Sequence, residues 1–136
     1  MNIIAYRRGY KYQVAEPYEI DLPIQGALDV STNLLRLSKT GKLTILDGYA
    51  WDGPSGPAID TVNFMRGSLV HDALYQLIRL GHLDRKWRDG ADEILREICI
   101  EDGMSKARAW WVYTSVKTFA QRAAMPSSEP QVFRAP

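Results

Sequence analysis

The chain has 136 residues, with 17 Lys and Arg against 16 Asp and Glu, a net charge of +1 and a single cysteine. Near-neutral charge excludes a nucleic-acid binder that works by bulk charge, because that needs a clustered excess of Lys and Arg. The lone Cys99 excludes an intrachain disulfide and a zinc site built on several thiolates, so an apolar core must hold the fold.

At this length the expectation is one domain, burying about two thirds of the surface its unfolded chain exposes. A composition of 46% hydrophobic and 24% charged residues is that of a globular chain. The opening stretch places a short apolar run, Ile3 to Ala5, before Arg7 and Arg8, the reverse of a secretory signal. No window approaches the roughly 18 consecutive apolar residues of a membrane span. These features predict a protein without signal peptide or transmembrane segment, in a reducing compartment, with Cys99 as a buried thiol.

Residues 1–47 read as β-rich. Tyr10–Val14 and Tyr18–Leu22 alternate apolar and polar. Leu34–Leu37 and Lys42–Leu46 flank Lys39-Thr40-Gly41, the pattern of a hairpin turn. Pro17 and Pro23 belong at edges or turns, since proline donates no ladder hydrogen bond. Together these segments predict a small antiparallel sheet. Residues 48–60 contain Gly48-Tyr49-Ala50-Trp51-Asp52-Gly53-Pro54-Ser55-Gly56-Pro57, whose glycines and prolines predict a shaped connector with exposed amides and carbonyls.

From 61 to 124 the period becomes helical. Phe64, Leu69, Ala73, Leu74, Leu77 and Ile78 suit one helix ending near Gly81. Trp87, Ala91, Ile94, Leu95 and Ile98 suit a second, ended by Gly103. Ser105 is placed to cap a third that carries Ala109, Val112, Val116, Phe119 and Ala123. Residues 125–136 hold three prolines and predict a loose tail. The expectation is thus a single α+β domain over 1–124, with sheet, Gly/Pro loop and three helices in order.

The chemistry-bearing residues sit on the first two helices. His71 and Tyr75 are four apart and share a face. Asp72 is turned by about 100° from them, toward the Gly/Pro loop. A short connection from Gly81 to Asp84 favours an antiparallel pair, which lets Asp92 reach His71. A carboxylate on one imidazole nitrogen fixes the tautomer and leaves the other to take a proton from water. Tyr75 could then hold Asp92 in place. One carboxylate plus several backbone carbonyls is a hard-oxygen setting that suits Ca²⁺ over zinc. A transition-metal site on His71-Asp72 needs further histidines, and the other one, His82, sits in a turn as a solvated helix end. Against all this stands the plainer reading of a His-Asp pair as a hydrogen bond bridging two helices.

Two resemblances attach to these residues. The stretch Leu46–Phe119 resembles an uncharacterised phage and prophage protein family with a Gly-[Tyr/Phe]-x-x-Asp-Gly-x-Ser-x-Pro loop, then His-Asp-x-Leu-Tyr, then Ala-Asp. Here these are Gly48–Pro57, His71–Tyr75 and Ala91-Asp92. The loop, His71-Asp72-Ala73-Leu74-Tyr75 and Ala91-Asp92 also resemble phospholipase A2, especially the parvovirus capsid type. That second resemblance implies His71 as general base, Asp92 orienting it, Tyr75 supporting Asp92 and the Gly53 amide stabilising the oxyanion. It implies calcium held by Asp72 with the carbonyls of Trp51, Gly53 and Ser55. Ser55 stands where that type has a loop glycine, and the disulfides of the secreted enzymes are absent.

Two functions follow as expectations. One is calcium-dependent hydrolysis of phospholipid acyl esters, with Trp51, Trp110 and Trp111 available to a lipid surface. The other is a non-enzymatic phage structural or accessory protein, in which His71, Asp72 and Asp92 brace the helices and the partners are virion proteins. Either places the chain in host cytoplasm or virion. Cell-wall hydrolysis follows from phage context alone, with no zinc-peptidase or glycosidase pattern beside it.

Overall fold

The structure, a computed structural model, describes residues 3–7, 12–52 and 62–123. Among the described residues seven short strands precede three α-helices: β1 (Tyr6–Arg7), β2 (Tyr12–Val14), β3 (Tyr18–Asp21), β4 (Val30–Ser31), β5 (Leu35–Leu37), β6 (Lys42–Ile45), β7 (Ala50–Trp51), α1 (Val62–Arg79), α2 (Arg88–Glu101) and α3 (Lys106–Ala123). This is the expected α+β order. The start of the strand expected from Tyr10, the loop positions Gly53 and Ser55, and the tail 125–136 lie outside the described residues, as do the side chains of Phe119 and Ala123.

The strands form two small antiparallel sheets, ordered β1-β2-β7 and β3-β6-β5-β4. The division falls where both neighbouring segments leave their ladders, at Ala15–Pro17 and at Asp47-Gly48. Backbone bonds still tie the corner together, with the Val14 amide on the Tyr49 carbonyl at 2.8 Å and the Gly48 amide on the Val14 carbonyl at 2.8 Å. The expected hairpin pairs Leu35 with Ile45 and Leu37 with Leu43. All four side chains are buried on one face while Arg36 and Lys42 are exposed, the alternation that fixes register in a half-covered sheet.

One apolar cluster joins the sheets to the helices. Val14, Tyr18, Leu35, Leu43 and Ile45 pack in it with Leu69, Ala73, Leu74 and Leu77 of α1 and Ala91 and Ile94 of α2. A second cluster, Phe64, Leu95, Cys99, Met104, Ala109 and Val112, seats α3 against the first two helices. α1 ends as expected at Gly81, whose φ of 79° is a left-handed conformation that glycine adopts without strain. The His82 amide then reaches back to the Leu77 carbonyl at 2.9 Å and the Gly81 amide to Ile78 at 3.0 Å, closing the helix end. Ser105 caps α3 as expected, its Oγ accepting from the Arg108 amide at 3.2 Å.

Candidate active site

α1 and α2 meet closely at Gly67. A Cβ added there would lie 2.9 Å from Leu95 Cδ1, 3.0 Å from Cys99 Sγ and 3.3 Å from the Leu95 carbonyl oxygen. Gly67, His71 and Tyr75 succeed one another at four-residue steps and so share one face of α1. That face carries the contact with α2, and the missing Cβ lets α2 approach. Asp92, one turn before Leu95 on α2, is thereby brought to His71.

The result is a three-residue constellation. His71 Nε2 lies 2.7 Å from Asp92 Oδ1, and the Tyr75 hydroxyl donates to the same oxygen at 2.8 Å. One oxygen receiving both groups is the behaviour of an ionised, acceptor-only carboxylate, so Nε2 carries the proton. Whenever the ring is neutral, its lone pair is then on Nδ1. Asp92 is 2% exposed and His71 14%, so the acid is sealed while the imidazole keeps an edge to solvent. The His71 and Tyr75 rings stack with centroids 4.3 Å apart, which restrains the imidazole further. Burial, with the Asp92 charge added to it, raises the Tyr75 phenol well above its ordinary value and keeps it a donor.

Asp72 faces the β-sheet side. The Tyr49 hydroxyl donates to its Oδ2. Burial raises the Asp72 carboxyl above the ordinary 3.8, Asp52 adds to this, and the Tyr49 bond, Arg79 and His71 offset part of it. Two residues on from Tyr49, at the end of β7, Trp51 Nε1 donates to Ser68 Oγ at 3.0 Å, and Ser68 Oγ donates to the Met65 carbonyl at 3.0 Å. Tyr49, just before β7, and Trp51, within it, both reach α1, where Ser68 and Asp72 align because a helix repeats near four. These contacts fix the point where the chain leaves the sheet, at Asp52, beside Asp72. Trp51 is further packed edge-on by Tyr6 at 6.0 Å and tilted against Tyr12 at 5.5 Å.

Of the residues singled out from the sequence, His71, Tyr75 and Asp92 are thus in mutual contact, while Asp72 meets Tyr49 and Trp51 meets Ser68. Gly53 and Ser55 lie outside the described residues. His82 is exposed on its turn. Among the described residues no group of three or more His, Cys, Asp or Glu side chains is arranged to hold a metal ion. No helix among them is long and apolar enough to cross a membrane. The sequence shows Tyr49 and Asp52 as positions of the loop motif without a role for either, and Ser68 went unnoticed, although two polar residues four apart on an apolar helix stretch, Ser68 and Asp72, were a usable signal. Sequence reasoning also missed Arg66, discussed below. Comparison of the chain with protein-family models, curated proteins and solved structures returned no match.

Proposed function

We propose that the chain is a phage-type protein with a phospholipase A2-like site that hydrolyses phospholipid acyl esters. The observation that carries this reading is the His71 Nε2–Asp92 Oδ1 contact of 2.7 Å with Tyr75 on the same oxygen. Nδ1 of His71 takes a proton from water as the water oxygen bonds to the ester carbonyl carbon. The imidazolium so formed is stabilised by Asp92, which Tyr75 holds in register. Nδ1 then returns the proton to the departing alkoxide as the ester C–O bond breaks. The Gly53 amide is assigned to the oxyanion.

The donor set suits calcium in its chemistry. Asp72 is a poorly solvated carboxylate whose charge is disfavoured by burial and by Asp52, and a divalent cation relieves both. Asp72 and the carbonyls of Trp51, Gly53 and Ser55 would hold it. When bound, it supplies positive charge beside the reacting carbonyl. The test is fatty-acid release from mixed phospholipid vesicles, with and without Ca²⁺. Release is expected with Ca²⁺ and lost in His71→Ala. No release, or release undiminished in that variant, refutes the reading.

A specific observation also favours the non-enzymatic alternative, a phage structural or accessory protein docking to virion proteins. Among the described residues no buried side-chain nitrogen or oxygen lacks a hydrogen-bond partner. Asp92 and Asp72 already bridge elements through His71, Tyr75 and Tyr49. On this reading His71→Ala lowers stability and no hydrolysis is found.

A further inference from the structure

The +1 net charge conceals a segregation. α3 holds Lys106, Arg108, Lys117 and Arg122 and no acid, so the rest of the chain carries −3. The same helix presents Trp110 and Trp111, 58% and 45% exposed, beside the buried Ala109 and Val112. Successive helix positions are turned by about 100°, so the two indoles bracket an outward arc. Ala107, Thr114 and Thr118 on that arc are exposed, and Lys106 is exposed at its margin. Lys117, at the same margin, lies over the Tyr113 ring and 3.8 Å from Asp89. α3 packs chiefly on α2, leaving this arc uncovered by the described residues.

We infer that the outward face of α3 docks on an anionic lipid bilayer, with Trp110 and Trp111 inserted at the headgroup level. An indole has an apolar body and a polar N–H, which suits the membrane–water boundary. Flanking cations add attraction to anionic headgroups. A second copy of the chain is a poor occupant, because a two-fold contact would set like-charged helices against each other. Nucleic acid is a poorer one, since the centre of the arc is Trp, Ala and Thr and the cations lie at its edge. The choice of lipid rests on the phospholipid reading of the His71 site, and the experiment below separates the two.

The assay is flotation with vesicles of phosphatidylcholine, alone or doped with phosphatidylglycerol, at low and high salt, without Ca²⁺. Binding is expected to the doped vesicles, weakened by salt, and roughly ten-fold weaker in Trp110→Ala/Trp111→Ala. Both indoles are exposed, so the double variant should melt like the parent, and Lys106→Glu/Lys117→Glu should lose the preference for anionic lipid. His71→Ala should bind like the parent. Equal binding to neutral vesicles, binding unchanged in the tryptophan variant, or a dimer that this variant dissolves would overturn the inference. So would retention of duplex DNA in place of vesicles. Vesicle binding without any hydrolysis supports the docking face and removes the hydrolase reading. His71-dependent hydrolysis of a dispersed short-chain ester with no vesicle binding does the reverse.

Discussion

The His71–Asp92–Tyr75 constellation makes a quantitative claim about stability that holds under either functional reading. Both donors converge on Oδ1 of a carboxylate 2% exposed. A hydrogen bond to a charged group contributes about 1.5–3 kcal/mol. Tyr75→Phe keeps the ring that stacks on His71 at 4.3 Å and removes the hydroxyl alone, so a loss of about 1–2 kcal/mol is expected. His71→Ala should cost more, about 2–3 kcal/mol, because a mostly buried ring goes with the hydrogen bond. In each single variant one donor remains on Asp92. In the double variant neither remains, and a buried charge stripped of partners costs several kcal/mol. The double loss should therefore exceed the sum of the singles by about 1 kcal/mol or more. Urea denaturation of the four proteins at neutral pH closes this cycle. Strict additivity, or a His71→Ala variant as stable as the parent, would refute the reasoning.

Other variants probe the neighbouring geometry. Gly67→Ala gains about 1 kcal/mol of helix propensity but drives a methyl against Leu95 and Cys99 at 2.9 and 3.0 Å. Overpacking of about 1–3 kcal/mol should dominate, lowering the thermal midpoint, and a higher midpoint would count against the close approach. Asp72 has a carboxyl raised in the folded state, so its ionisation opposes folding above the ordinary value of 3.8. Asp72→Asn should thus stabilise the protein at neutral pH. The gain should fade as pH falls through the raised folded value toward 3.8, and a gain independent of pH would contradict the assignment. The same variant should lose any Ca²⁺ response of hydrolysis. Burial, with the Asp102 charge added, pushes the Cys99 thiol up to about 12. A disulfide reagent at pH 8 should leave Cys99 unmodified until urea unfolds the chain, and immediate labelling would show the thiol to be accessible.

The architecture was legible where local periodicity and core packing agree. The hairpin around Lys39–Gly41, the helix stops at Gly81 and Gly103 and the Ser105 cap all follow from short-range rules. So did the candidate triad, because i,i+4 spacing on α1 and a short connection to α2 leave Asp92 few other places to go. The division into two sheets was not legible, since it depends on where two separate segments break together. Nor were Tyr49–Asp72 and Trp51–Ser68, contacts to α1 across 23 and 17 residues respectively. Arg66 was the least legible. It lies in the apolar run from Phe64 to Val70 and is only 3% exposed, a position that sequence patterning assigns to the core.

Arg66 has a consequence for how the protein can be taken apart. Its guanidinium donates to both Asp102 oxygens, at 2.9 to 3.2 Å, and to the Tyr18 hydroxyl at 2.9 Å. It also pairs with Glu101 at 3.0 Å. One side chain on α1 thus grips the end of α2 and the start of β3. Burial works against its charge, and the bonds to Asp102 and Tyr18 more than restore it, holding its pKa above the ordinary value. A fragment that keeps the helices but omits the strands would retain this cation and lose its tyrosine. It would also expose the apolar faces of Leu69, Leu74 and Leu77 that the sheets cover. The helix pair bearing His71 and Asp92 is therefore not a severable module. Grafting it elsewhere, or trimming the β-rich part to isolate it, would remove the wall against which it is built.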